Sequence, residues 1–153
     1  MFSQTVEYAL RAMVVLAKVS PTPKRTAEIA KSAKIPPAYL VKILQSLGRA
    51  GLVTSQRGIN GGIALSKVPA EITILDVVNA MEPAPRIRSC PLGLKAHGLK
   101  LCLLHSKMDS VLENMEKAFS TTALSEVIEN KISKQNCSFP LAASHTPHQH
   151  LKT

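Results

Sequence analysis

Val6, Leu10, Met13 and Ala17 recur at the spacing of one helix face and predict an amphipathic helix over residues 3–18. SPTPK at 20–24 breaks that pattern. TAEIAKSA then reads as a short helix capped by Thr26, with Glu28 in the first turn, where the helix dipole favours an acid. In IPPAYLVKILQSLGRAG, Pro37 suits the first helical position, and the helix should run to about Arg49 and stop at Gly51. Its sides differ. Leu40, Ile43, Leu44 and Leu47 share one; Tyr39, Lys42, Ser46 and Arg49 share the other. A short helix, a turn and a second helix with a basic polar face match a helix-turn-helix, whose second helix enters the DNA major groove.

LVTSQRGINGGIALSK predicts two strands, near 52–56 and 62–66, with Gly58, Asn60, Gly61 and Gly62 supplying positive-φ positions at the tip. Arg57 and Asn60 sit at that tip, where Arg57 can reach a groove or a phosphate. A hairpin placed directly after a helix-turn-helix is a wing. Thr73 to Asp76 has capping-box form and opens a helix over about 73–81, which the prolines of EPAPR end. Met108, Val111, Leu112, Met115 and Phe119 mark a long helix with one apolar stripe, a natural dimerisation element. STTALSEVIEN adds a short helix, and from Lys131 the chain is polar and without pattern. The expected fold is mainly α with a small β-hairpin wing. A winged helix-turn-helix occupies 1–82, a cysteine-containing loop 83–106, the dimerisation helix and short helix 107–130, and a disordered tail 131–153.

Charge sharpens this division. The net charge of +9 is concentrated in residues 1–67, which hold ten Lys/Arg against Glu7 and Glu28, leaving only +1 for the rest. That asymmetry is the footprint of a nucleic-acid-binding unit joined to a neutral one. The expected DNA-facing side chains are Tyr39, Lys42, Ser46 and Arg49 of the second helix, together with Thr26, Pro37, Arg57 and Asn60 around it. No apolar run approaches the roughly 20 residues of a membrane helix, so the protein is expected in the cytoplasm. There thiols stay reduced, and cysteines suggest metal ligands or spectators before disulfides.

RSCPLGLKAHGLKLCLLH, residues 88–105, brings together Cys90, His97, Cys102 and His105. Two thiols and two imidazoles are a tetrahedral zinc set, although the spacing is not that of the usual zinc fingers. If the next helix has begun by residue 102, Cys102 and His105 share a face. Direct oxidation of the thiols is the metal-free alternative. Cys137 in the tail reads as a spectator.

VEYALRAM, IPPAYLVKIL, LVTSQRGINGGIAL and ITILDVVNAME together resemble the Rrf-two family of bacterial winged-helix transcription regulators, over roughly residues 1–130. The resemblance implies a homodimer that reads a palindromic operator on double-stranded DNA, as a repressor. It places Tyr39, Lys42 and Arg57 in the DNA-contacting region. It also implies an iron–sulfur cluster loop just before the long helix, where Cys90 and Cys102 fall. Cluster-binding members typically carry three cysteines there; Ala96 stands at the middle one, with His97 beside it. His105 matches a histidine ligand by spacing, and Glu7 aligns with a carboxylate that in some members reaches the cluster of the other subunit; alternatively Glu7 and Arg11, four apart, form a surface ion pair. A [2Fe–2S] cluster with two thiolates and nitrogen or oxygen ligands would suit a sensor of redox state, nitric oxide or iron–sulfur supply. A zinc-binding or metal-free regulator, controlled by thiol oxidation or a protein partner, is the alternative. An enzyme is not expected: there is no phosphate loop, and no nucleophile has an evident base.

Overall fold

The computed structural model describes residues 2–91, 93 and 100–129. The sequence readings at His97, Cys137 and the tail from Lys131 lie outside the described residues.

Among the described residues, six α-helices and one hairpin follow one another in chain order. Helix α1 spans Gln4–Val19, α2 Thr26–Ala33 and α3 Pro37–Arg49. Strands β1 (Val53–Gln56) and β2 (Gly62–Leu65) pair antiparallel, Val53 opposite Leu65 and Gln56 opposite Gly62. A 3-10 turn at Pro69–Glu71 leads to α4 (Ile74–Met81), α5 (Leu103–Ser120) and α6 (Leu124–Glu129).

Local chemistry explains most boundaries. The Ser3 hydroxyl accepts the Val6 amide and starts α1. Pro37 opens α3, and Gly51, at φ 72°, follows its end. Thr73 and Asp76 form the expected capping box of α4. Two readings need correction. Arg25, not Thr26, is the N-cap of α2, with no side-chain cap bond; Thr26 is already the first helical residue because the chain is extended until Arg25. At the wing tip, only Gly58 and Gly62 have positive φ. Gly61 is needed for another reason: a Cβ there would collide with the carbonyl of Gln56. Asn60 supplies no positive-φ position.

The core is aliphatic. Ala9, Met13 and Leu16 of α1 meet Ile29 and Ala33 of α2, Leu40 and Leu47 of α3, and Val77 of α4. The apolar side of α3 expected from its pattern is the buried one. Lys24 and Ile63 exchange two backbone hydrogen bonds of 2.9 Å, so the segment before α2 joins the wing as a third strand-like edge. The chain then leaves this core and returns. Helix α5 has no buried residue. Helix α6 packs on α1, and its Leu124, 1% exposed, enters the same core as α1 to α4. Around it, the Ile74 amide donates to Thr122 O and the Leu124 amide to Ile72 O.

The long helix begins at Leu103, inside the stretch assigned to a loop through 106. Its first turn lacks a side-chain cap and precedes the apolar stripe, so its pattern carried little signal. Cys102 is the extended residue before it, and the Ser106 amide donates to Cys102 O at 2.8 Å.

Candidate DNA interface and cysteine centre

Helix α3 exposes two flanks. One carries the expected residues. Tyr39 (58% exposed), Lys42 and Ser46 line a cleft of about 220 Å³ closed on its far side by Gln4, Thr5 and Tyr8 of α1. Arg49 Nη2 donates to Ser46 Oγ at 3.0 Å. Tyr39 meets Tyr8 edge-on, ring centroids 6.4 Å apart. The other flank includes Thr26 of the expected set. There Val41 and Gln45, with Thr26, Ser55 and Ile63, line a second groove beneath the wing. A signal was present: Val41 is apolar yet falls outside the buried stripe of Leu40, Ile43, Leu44 and Leu47.

Arg57 and Asn60 are exposed at the wing tip as expected, and Ile59 between them is 89% exposed. Arg25 Nη2 donates to the Ile59 carbonyl at 3.2 Å and braces the tip. Pro37 is exposed but offers no donor; its part is to start α3. The wing, α3 and the start of α2 thus lie side by side, as a winged helix needs in order to grip phosphates and read base edges.

At the N-terminal end of α5, Cys102 Sγ lies 3.3 Å from His105 Nδ1. A thiol and an imidazole so placed are a donor pair suited to iron–sulfur clusters and to zinc. Cys90 and Cys102 are both half-buried free thiols. Glu7 does not join them: its carboxylate receives Arg11 Nε at 2.7 Å, and the Arg11 guanidinium lies over the Tyr8 ring at 5.5 Å. Among the described residues, no three His, Cys, Asp or Glu side chains gather as a metal site. The described residues therefore present Cys102 and His105 as a donor pair and not a full ligand set.

Sequence reasoning missed the clasp that holds this region. Arg86, four residues before Cys90, pairs with both carboxylate oxygens of Asp109 at 2.9 Å and with Glu116 at 3.1 Å. The Ile87 amide donates to Asp109 Oδ1 at 2.8 Å. Hydrogen bonds from the Arg86 side chain and then from the Ile87 amide hold the Asp109 carboxyl down at about 2. The same carboxylates raise the Arg86 guanidinium above its ordinary value. The segment carrying Cys90 is thereby tied to the helix whose start carries Cys102 and His105.

On its outward side, α5 leaves Leu103, Leu104, Met108 and Val111 between 48% and 76% exposed. The expected stripe divides: Leu112 and Met115 turn inward, facing Phe2, Val6 and Val78 across a shared cleft, and Phe119 stacks near Phe2 with centroids 5.3 Å apart.

Comparison with known proteins agrees with this architecture. The chain is 32% identical over 133 residues to the HTH-type transcriptional regulator NsrR of Geobacillus kaustophilus, covering 83% of this chain and 88% of that one. The structure of CymR, the global cysteine regulator of B. subtilis, superposes with TM-score 0.70 at 25% identity, covering 84% of this chain and 95% of that one. T. potens IscR shares the fold with TM-score 0.73 at 23% identity, over 88% and 90% of the two chains. No helix among the described residues is long and apolar enough to cross a membrane. The family model Rrf2, iron-dependent transcriptional regulator, matches residues 2–130. The chain therefore belongs to the Rrf2 (Rrf-two) family of DNA-binding winged-helix transcriptional regulators, which are not enzymes.

Proposed function

We propose that this regulator acts in the cytoplasm as a homodimeric repressor of a palindromic operator, and that it senses redox state, nitric oxide or iron–sulfur supply through a [2Fe–2S] cluster. The observation that carries the reading is the 3.3 Å pairing of Cys102 with His105 at the start of α5. The Arg86 clasp on the same helix supports it. Cys90, Cys102 and His105 would hold the group, with Glu7 of a second subunit as the further ligand once it gives up Arg11; His97 is a further candidate. When bound, a cluster would supply a centre whose charge changes with its oxidation state. The chain's own part is mechanical. A shift of the Cys90 segment is passed through Arg86 to Asp109 and so to α5, which alters the spacing of the two recognition helices and their population of DNA-binding geometry.

The test is the visible absorption of anaerobically purified protein, with iron, sulfide and zinc assayed on the same sample, for wild type and Cys102→Ser. The expected result is coloured protein with matching iron and sulfide, bleached by the substitution. Colourless protein with one zinc per chain would replace the cluster by zinc. Metal-free, dimeric protein would move the signal to thiol oxidation or a protein partner.

A further inference from the structure

The second flank of α3 has a chemistry of its own. Val41 is 47% exposed and Gln45 is exposed. They stand one helical turn apart, about 6 Å along the axis. With Thr26, Leu44, Ser55 and Ile63 they line an open groove of about 290 Å³. None of these six residues is ionisable. The walls are fixed, since Lys24 and Ile63 are joined by two backbone hydrogen bonds and Arg25 holds the wing tip at Ile59. This uncharged groove lies in the half of the chain that carries +8 of the net +9 charge. The surrounding lysines and arginines suit phosphates, which leaves the groove to face something polar but neutral between two phosphate rows. Base edges are that surface.

We propose that this groove reads an A·T-containing step of the major groove, with Val41 packed on a thymine methyl group and Gln45 paired to a neighbouring adenine. The inference rests on the DNA-binding reading and adds its sequence preference. Thymine alone places a methyl group in the major groove, and apolar side chains recognise it; a glutamine amide offers the donor and acceptor that match adenine N6 and N7. Guanine calls for a cation and cytosine for a carboxylate, and the groove lining has neither. Base pairs rise about 3.4 Å each, so side chains about 6 Å apart address adjacent or next-adjacent pairs.

The experiment starts from full-length protein and a random duplex library, from which the preferred sites are selected. Each thymine of the selected half-site is then replaced by uracil, which removes only the methyl group. At one position the replacement should weaken wild-type binding about fourfold, the worth of one buried methyl group. For Val41→Asn, whose side chain carries no methyl group, the same replacement should have no effect. Gln45→Ala should lose about tenfold discrimination for adenine at a nearby pair, whereas Lys42→Ala should weaken all sequences alike. Selected sites with no fixed A·T pair in the half-site would overturn the inference. So would variants at Val41 that remain as sensitive to uracil as wild type. Failure to enrich any duplex would overturn the DNA-binding reading beneath it, a result distinct from both.

Discussion

The winged-helix unit and α5 are held by different forces. In the first, Met13, Leu16, Ile29, Leu40 and Leu47 are fully buried, and stability comes from close aliphatic packing. In the second no residue is buried. Helix α5 is held by a four-charge clasp around Arg86 and by partial contact of Leu112, Met115 and Phe119 with the first unit. A rigid reading head can thus be joined to an element whose position is set by a few polar contacts and by whatever covers its apolar side. Low local stability is what a moving element requires.

The largest expected effect is in the head. Leu47→Ala leaves a cavity among packed side chains and should cost about 3 kcal/mol in urea unfolding. Val111→Ala, at a 68% exposed site, should change the stability of a single chain by less than about 0.5 kcal/mol. Comparable losses from the two would erase the contrast. Next, Met108→Asp with Val111→Asp should weaken self-association about a hundredfold in sedimentation, while helical circular dichroism is retained. A wild-type chain that sediments as a monomer would remove α5 as a dimer element.

Arg86→Ala comes third. It should raise hydrogen exchange at the Ile87 amide about tenfold, since Asp109, the acceptor of that amide, loses its anchor, and it should leave the amides of α1 to α4 unchanged. Acid tests the same clasp. The Asp109 carboxyl sits at about 2 when folded and at 3.8 when free, so the unfolded chain binds its proton first as pH falls. The stabilisation is complete above the free value and disappears between about pH 4 and pH 2. The difference in thermal midpoint between wild type and Asp109→Asn should therefore be constant above about pH 5 and shrink through that window. The smallest effect concerns salt. Lys42→Ala and Arg57→Ala should each lower the slope of log affinity against log salt by about one.

What the sequence made legible was what neighbouring residues decide. The capping box at Thr73 and Asp76, the stripe Leu40 to Leu47 and the prolines at the start of α3 are local patterns with local causes. The clasp was not legible, because Arg86 and Asp109 are 23 positions apart and nothing in either neighbourhood names the other. The start of α5 was hidden because Cys102 caps nothing with its side chain. Tyr39, Lys42 and Ser46 lie together along one flank of α3, as their spacing implied, yet charge drew notice to that flank and away from Gln45. The ion pair of Glu7 with Arg11 was legible too, because the two stand four apart on one helix.

The two hydrogen bonds between Lys24 and Ile63 carry a further consequence. They fasten the wing to the segment that leads into α2, so a wing cannot swing independently of its own recognition helix. In a symmetric pair, each half-operator would then be addressed by an inflexible stencil. A signal could change only the separation or angle between two stencils. Operators with altered half-site spacing should discriminate between signalling states, whereas changes within a half-site should be felt equally in both.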